Sequence, residues 1–175
     1  WTAEADLAGN SVQEILDGSN IRIGWKLAAS NGVDEIYDAD GLLISVERSG
    51  ITQVELDRDA AGRLLALVDR QGRTATIGYD SLERIDEIAL PDGNILSYTY
   101  DSQSRLASVT AAGSTKEYEY VDIAGIEGAH LSKVIDEDNS TFAEFGYDAA
   151  GMARSTQHAG GVDAFGLAYS NGGDD

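Results

Sequence analysis

The sequence predicts an all-β protein, a tandem array of units of about 21 residues that folds as a curved antiparallel β-hairpin meander. Three observations carry this. A Tyr-Asp pair returns at Tyr37-Asp38, Tyr79-Asp80, Tyr100-Asp101 and Tyr147-Asp148. Arg58-Asp59 falls in the same frame, so the starts at 37, 58, 79 and 100 are each 21 residues apart. Every pair leads into a polar reversal and then into two apolar residues three apart. Units this short, and this rich in Gly and β-formers, leave no room for a helix.

The first 35 residues are the least regular. "WTAEAD" (1–6), "SVQEIL" (11–16) and "IRIGWKL" (21–27) read as short strands separated by "LAGN", "DGSN" and "ASNG". Residues 1–35 are therefore expected to be diverged lead-in strands, and 36–175 one continuous repeat domain without a Pro/Ser linker. The sequence starts at Trp1 with neither an initiator Met nor a charged-then-apolar leader, which suggests a piece of a longer protein.

Within each unit the Asp can bond backbone amides two residues on, closing an Asx-type turn. Gly41, Gly62, Gly125 and Gly151 supply positive φ at the reversal. Glu83 and Ser104 stand in where Gly is missing, at some cost. The apolar pairs Leu43/Val46, Leu64/Leu67, Ile85/Ile88, Leu106/Val109 and Leu131/Val134 follow. An offset of three on a strand requires a bulge or strong twist between the two positions. A second reversal comes at "ERSG", "DRQG", "LPDGN", "TAAG" and "DEDN", clearest at Pro91-Asp92-Gly93-Asn94. The returning strands alternate, as in "ILSYTY", where Tyr98 and Tyr100 share a face and are placed to stack on equivalent tyrosines of neighbouring units.

The fifth unit can be framed on Tyr120 or on Val121-Asp122, and "GIEGAH" (125–130) inserts about five residues before Leu131. A last, degenerate start lies at Tyr169.

Composition excludes some functions. A net charge of −19, from 31 acidic and 12 basic residues, repels nucleic-acid phosphates and anionic membranes. No apolar run approaches the ~18–20 residues of a membrane span. The chain has no Cys, so disulfides, thiolate nucleophiles and Cys-ligated zinc are all absent.

Candidate chemistry is weak. His130 and His158 are the only histidines, and no Gly-x-Ser-x-Gly elbow accompanies them. Both read as surface turn residues rather than bases or metal ligands. Paired carboxylates are inevitable among 31 acidic residues and discriminate nothing. "DADG" (38–41) and "DEDNS" (136–140) gather oxygens that calcium could use, but the EF-hand spacing is missing. The expectation is no catalytic residue, no metal and no cofactor. The residues that matter are then those of the repeat motif: Tyr37, Asp38, Gly41, Asp59, Gly62, Tyr79, Asp80, Tyr100, Asp101, Asp122, Gly125, Tyr147, Asp148 and Gly151.

The pattern Tyr-Asp-x-x-Gly-Arg-Leu-x-x-Val resembles the YD repeat of the Rhs family, shared with bacterial toxin-complex proteins and teneurins. "NGVDEIYDADGLLISV" (31–46), "LSKVIDEDNSTFAEFGYDAAGMA" (131–153) and "HAGGVDAFGLAYS" (158–170) are the stretches most similar to bacterial members. Arg58 departs from the pattern, as do Leu42, Ile126 and Met152 at the Arg position. The resemblance implies a spiralling β-shell that encloses a C-terminal toxin for delivery, often by type VI secretion. It implies neighbouring repeats and an enclosed toxin domain as partners, a secreted bacterial protein and no enzyme. The Pro-Gly-rich self-cleavage region of many members has no counterpart here, since Pro91 is the single proline. The alternative is a calcium- or glycan-binding extracellular adhesin module. In either case open sheet edges invite self-association.

Overall fold

A computed structural model describes residues 9–169. "WTAEAD" and the turn after Tyr169 lie outside the described residues. The chain divides into two compact units, Trp1–Gly93 and Asn94–Asp175. The first contains β1 (Ser11–Leu16), β2 (Arg22–Ala28), β3 (Val33–Asp38), β4 (Leu43–Arg48), β5 (Ile51–Arg58), β6 (Leu64–Asp69), β7 (Thr74–Tyr79) and β8 (Ile85–Ala89). The second contains β9 (Ile95–Tyr100), β10 (Leu106–Ala111), β11 (Ser114–Val121), β12 (His130–Ile135), β13 (Thr141–Tyr147), β14 (Ala153–His158) and β15 (Val162–Gly166). A 3-10 turn, Ala159–Gly161, joins the last two strands. Within each unit every strand pairs antiparallel with its sequence neighbour, so both units are the all-β meanders that the period predicts.

The bulge expected between the apolar residues is present and has a fixed place. Tyr37 faces Leu43 while Ile36 faces Ser45, which leaves Ile44 as the extra residue. The same shift occurs where Arg58 meets Leu64, Tyr79 meets Ile85, Tyr100 meets Leu106, Tyr120 meets Leu131 and Tyr147 meets Ala153. One extra residue reverses the inward-outward alternation, and this returns both members of each apolar pair to one face. In the first unit that face carries Trp25, Leu27, Tyr37, Val46, Val54, Leu56, Leu67, Ile77 and Ile88, while the other carries mainly small and acidic residues. In the second unit Tyr98, Val109, Tyr118, Val134 and Phe145 share one face, and paired hydroxyls occupy the other: Thr99 with Ser108 at 2.7 Å and Thr110 with Thr115 at 2.8 Å.

No conventional interior forms. Among the described residues only Gly24, Ala66 and Ala143 are buried, and no large side chain is fully enclosed. Stability is therefore distributed along the strands and between adjacent repeats, as in other arrays of short units.

The lead-in is more regular than its sequence. The reversal after β1 uses Asp17, whose Oδ1 accepts from the amides of Ser19 (2.8 Å) and Ile21 (2.9 Å). Asp17 stands 21 residues before Asp38, with Leu16 in the Tyr place and Asn20 (φ 64°) in the Gly place. The region expected to be diverged strands thus contains a complete unit turn in frame.

Candidate functional site

The repeated element is a turn cassette tied to its neighbours. In each cassette the amide of the residue three after Asp donates to the Asp carbonyl, and the Asp amide donates to the carbonyl four residues on, as in Gly62→Asp59 and Asp59→Arg63 at 2.9 Å each. The Asp Oδ1 then accepts two amides, at i+2 and i+4: Asp40 and Leu42 for Asp38, Ala61 and Arg63 for Asp59, Leu82 and Arg84 for Asp80, Gln103 and Arg105 for Asp101, Ala150 and Met152 for Asp148. One carboxylate oxygen thus satisfies backbone donors that the turn would otherwise leave unpaired.

The second oxygen holds an arginine. Asp59 accepts from Arg63 Nε at 2.7 Å, Asp80 from Arg84 at 2.8 Å and Asp101 from Arg105 at 2.7 Å. Where Met152 replaces the arginine, Arg154 reaches back to Asp148 at 2.9 Å. These bonds favour the ionised carboxylate. The Arg63 side chain and amide hold Asp59 below its ordinary value, and those of Arg84 do the same for Asp80. For Asp101 the Arg105 amide is the larger cause, and for Asp148 the Met152 amide.

The tyrosine ties each unit to the one before. Tyr79 OH donates to the Leu64 carbonyl at 2.8 Å, Tyr120 OH to Leu106 at 2.9 Å and Tyr147 OH to Leu131 at 2.8 Å. Arg58, which lacks a phenol, makes the same bond: its Nε and Nη2 donate to the Leu43 carbonyl at 3.3 and 3.2 Å, and its Nη1 to Gly62 at 3.0 Å. Tyr37 instead donates to Glu35, which raises the phenol's pKa.

Three of the tyrosine rings meet arginines. Arg63 lies 5.3 Å from the Tyr79 ring, Arg105 4.7 Å from Tyr120 and Arg154 5.5 Å from Tyr169. Each arginine therefore holds its own turn through Asp and covers the tyrosine of the next unit.

The other motif residues fall into place around this cassette. Gly41, Gly62, Gly125 and Gly151 have φ of 87°, 83°, 79° and 77°, and Glu83 and Ser104 adopt 62° and 63° in their stead. Tyr100 closes β9 opposite Leu106. Asp122 behaves differently from its counterparts. Its carboxylate accepts from Arg105 Nη1 at 2.8 Å and Gln103 Nε2 at 3.3 Å, both in the preceding turn, while the local reversal closes from Ile126 to Ile123.

Turns also touch turns. Leu42 lies 3.0 Å from a Cβ built on Gly62, and Ile126 and His130 each lie 2.9 Å from one on Gly151. The inserted segment thus packs on the following cassette, with the His130 ring edge-on to Tyr147 at 5.1 Å. His158 likewise lies edge-on to Phe142, so each histidine has an aromatic neighbour. In "DEDNS", Asp136 pairs with Lys116 at 3.1 Å and Asp138 caps the Ser140 amide at 2.9 Å. Among the described residues no three His, Cys, Asp or Glu side chains are grouped to hold a metal, and no helix is long and apolar enough to cross a membrane.

Sequence reasoning placed reversals at "DGSN" and "DRQG" but did not assign Asp17 and Asp69 as their capping residues, nor Arg154 as the replacement arginine. Asp69 caps Gln71 (2.8 Å) and Arg73 (3.0 Å) at the opposite margin of the sheet. The spacing Asp-x-x-Gly/Asn, read without requiring a preceding Tyr, would have found the first two.

Residues 37–74 match the family model described as RHS Repeat. Over this stretch the chain is similar to the RHS repeat. The matched stretch contains the Asp38, Asp59 and Asp69 turns together with Arg58. Among solved structures, the chain is similar to TcdB2-TccC3 without its hypervariable C-terminal region (TM-score 0.59, 15% identity) and to TcdB2-TccC3-Cdc42 (0.60, 16%), covering 98% of this chain and 11% of each of those. It is also similar to the Photorhabdus luminescens Tc holotoxin pore (0.52, 16%, covering 94% and 10%). These likenesses concern the fold, an antiparallel β-meander, and this chain spans about a tenth of the chains it matches. Comparison with curated proteins returned no match.

Proposed function

We propose that this chain is a wall segment of an RHS shell that encloses a C-terminal toxin or effector, and that it has no catalytic role. The observation that carries the reading is the preservation of ties under substitution. Arg58 takes over the tyrosine bond and Arg154 takes over the arginine bond, so what persists is the link between units, not a particular reactive group. A catalytic site requires fixed chemistry at one place. A wall requires the same join many times. The RHS match and the likeness to toxin-complex structures support this, and so do the turn carboxylates, whose oxygens are occupied by amides and arginines rather than presented to a substrate. Its partners are then neighbouring repeats and an enclosed toxin domain, in a bacterial protein exported by a secretion system.

The test is protease protection of the C-terminal domain in the full-length protein that contains this segment. Protection should be lost when residues 36–175 are deleted and retained when Asp59 or Asp101 is changed singly. A reading frame with no long array around this segment, or a C-terminal domain cleaved equally in both proteins, overturns the proposal. A melting temperature that rises clearly with calcium, or binding on a glycan array, would favour the adhesin reading instead.

A further inference from the structure

One arginine cassette lacks its ring. At the margin where the Tyr-Asp pairs lie, an Asp-bound arginine covers a tyrosine 15 or 16 residues later: Arg63 with Tyr79, Arg105 with Tyr120 and Arg154 with Tyr169. The Asp69–Arg73 turn of the first unit repeats that cassette at the opposite margin, bond for bond. The Gly72 amide donates to the Asp69 carbonyl at 2.8 Å, and the Asp69 amide to the Arg73 carbonyl at 3.0 Å. Asp69 Oδ1 accepts the Gln71 and Arg73 amides, and Asp69 Oδ2 accepts Arg73 Nε and Nη2 at 2.6 Å each. No tyrosine follows. Ile88 and Ala89 stand 15 and 16 residues after Arg73, and among the described residues no aromatic ring lies on its guanidinium. The Arg73 side chain is accordingly 69% exposed, against 39% for Arg63 and 17% for Arg105.

Beside Arg73 the apolar face has a groove instead. In the repeat frame Ala75 corresponds to Val33, Val54 and Leu96, each 21 residues from the next. With only a methyl at Ala75, a hollow of about 520 Å³ opens between Leu67, which faces Ala75 across the strands, and a wall of Leu90 and Pro91. Arg73 lines it, as do the Asp69 and Asp92 carboxylates. Three features select an occupant. A guanidinium fixed by a carboxylate beside apolar side chains suits an aromatic face, and the arginines so fixed at the other margin cover tyrosine. Two carboxylates around one guanidinium disfavour an anionic ring. The hollow is open to solvent, so a free small compound would stay largely uncovered, whereas a side chain delivered by a polypeptide brings further contact with it. We propose that this groove receives a tyrosine side chain of a partner polypeptide, its ring over Ala75 between the Arg73 guanidinium and Pro91. The inference does not rest on the shell reading.

The test titrates the ¹⁵N-labelled chain with the peptide acetyl-Lys-Tyr-Lys-amide, followed by amide chemical shifts. Saturable shifts are expected at Leu67, Arg73, Ala75 and Leu90, with the leucine analogue of the peptide at least fivefold weaker. Ala75→Leu, which copies position 96 of the repeat frame, should fill the groove and weaken binding at least tenfold. If that variant fails to fold, Arg73→Lys, which keeps the charge without the plane, should weaken binding at least threefold. The proposal is overturned if the shifts do not saturate or lie elsewhere, if the leucine peptide binds equally well, or if the folded variants bind as the parent does. Equal affinity for N-acetyltyrosinamide also overturns it, because a free aromatic compound would then be the occupant.

Discussion

The two turn margins of each sheet are built to different rules. At the margin where the Tyr-Asp pairs lie, one cassette is used repeatedly and several turns touch the next one within their unit. Leu42 packs on Gly62, Arg63 Nη1 reaches Glu83 at 3.3 Å, Arg105 reaches Asp122, and Ile126 with His130 packs on Gly151. At the other margin the turns differ in kind. Ser49-Gly50 and Ala112-Gly113 are two-residue loops with both φ positive, the type I′ geometry that matches strand twist. Asp69–Arg73, Leu90–Gly93 and Asp136–Asn139 are longer. A Cβ at Gly32, Gly50, Gly72, Gly93 or Gly113 would meet nothing within 4 Å. The first margin repeats one kind of join, whereas at the other the turns vary in kind and the link between repeats is an ion pair of Lys116 with Asp136 at 3.1 Å.

Acid should have the largest effect, because it acts on Asp59, Asp80, Asp101 and Asp148 together. The pKa values of Asp59, Asp80, Asp101 and Asp148 are depressed below the ordinary 3.8. Groups of this kind contribute stability that is fully present above 3.8 and lost as pH falls through the lower, folded-state values. Urea midpoints should therefore be insensitive to these groups above about pH 4 and fall steeply below it. A midpoint that declines first between pH 7 and 5 would count against the cassette as the main acid-sensitive element.

Glycine substitution compares the margins directly. Gly151→Ala meets both a φ of 77° and contacts at 2.9 Å, and should cost about 3 kcal/mol. Gly72→Ala, with a φ of 78° in open space, should cost about 1 kcal/mol. Equal losses in denaturant melts would show that turn-to-turn packing is unimportant.

Arg58 tests whether the join or the residue matters. Arg58→Leu removes three hydrogen bonds and should cost about 2 kcal/mol, whereas Arg58→Tyr should restore a phenol-to-Leu43 bond and lose less than half of that. Equal stability of the two variants would refute the equivalence. The smallest effect expected is a gain. Ser104→Gly relieves the left-handed φ of 63° and should stabilise by about 0.5 kcal/mol after the added unfolded-state entropy.

Much of the cassette was legible beforehand, and the reasons are physical. Positive φ at Glu83 and Ser104 followed from their place in the period, and the bulge followed from the three-residue offset of Leu43 and Val46. What escaped depended on the reach of long side chains. Arg58 looked like a degenerate tyrosine because its identity differs, yet its guanidinium reaches the same carbonyl. Arg154 lies two residues beyond the usual arginine and still meets Asp148. Asp122 kept the motif's residue type but turned its carboxylate to the preceding arginine. The meeting of Arg105 with Tyr120 requires neighbouring units to be placed side by side, which a repeat length alone does not provide.

The ties are also short in sequence. The tyrosine bonds join residues 14 to 16 apart, and the arginine links between turns span 17 to 20. Local contacts of this kind close with little loop entropy. Each hairpin lacks its last partner only until the next Tyr has been synthesised. Assembly can thus follow the ribosome unit by unit, with one incomplete join exposed at a time, however long the array becomes.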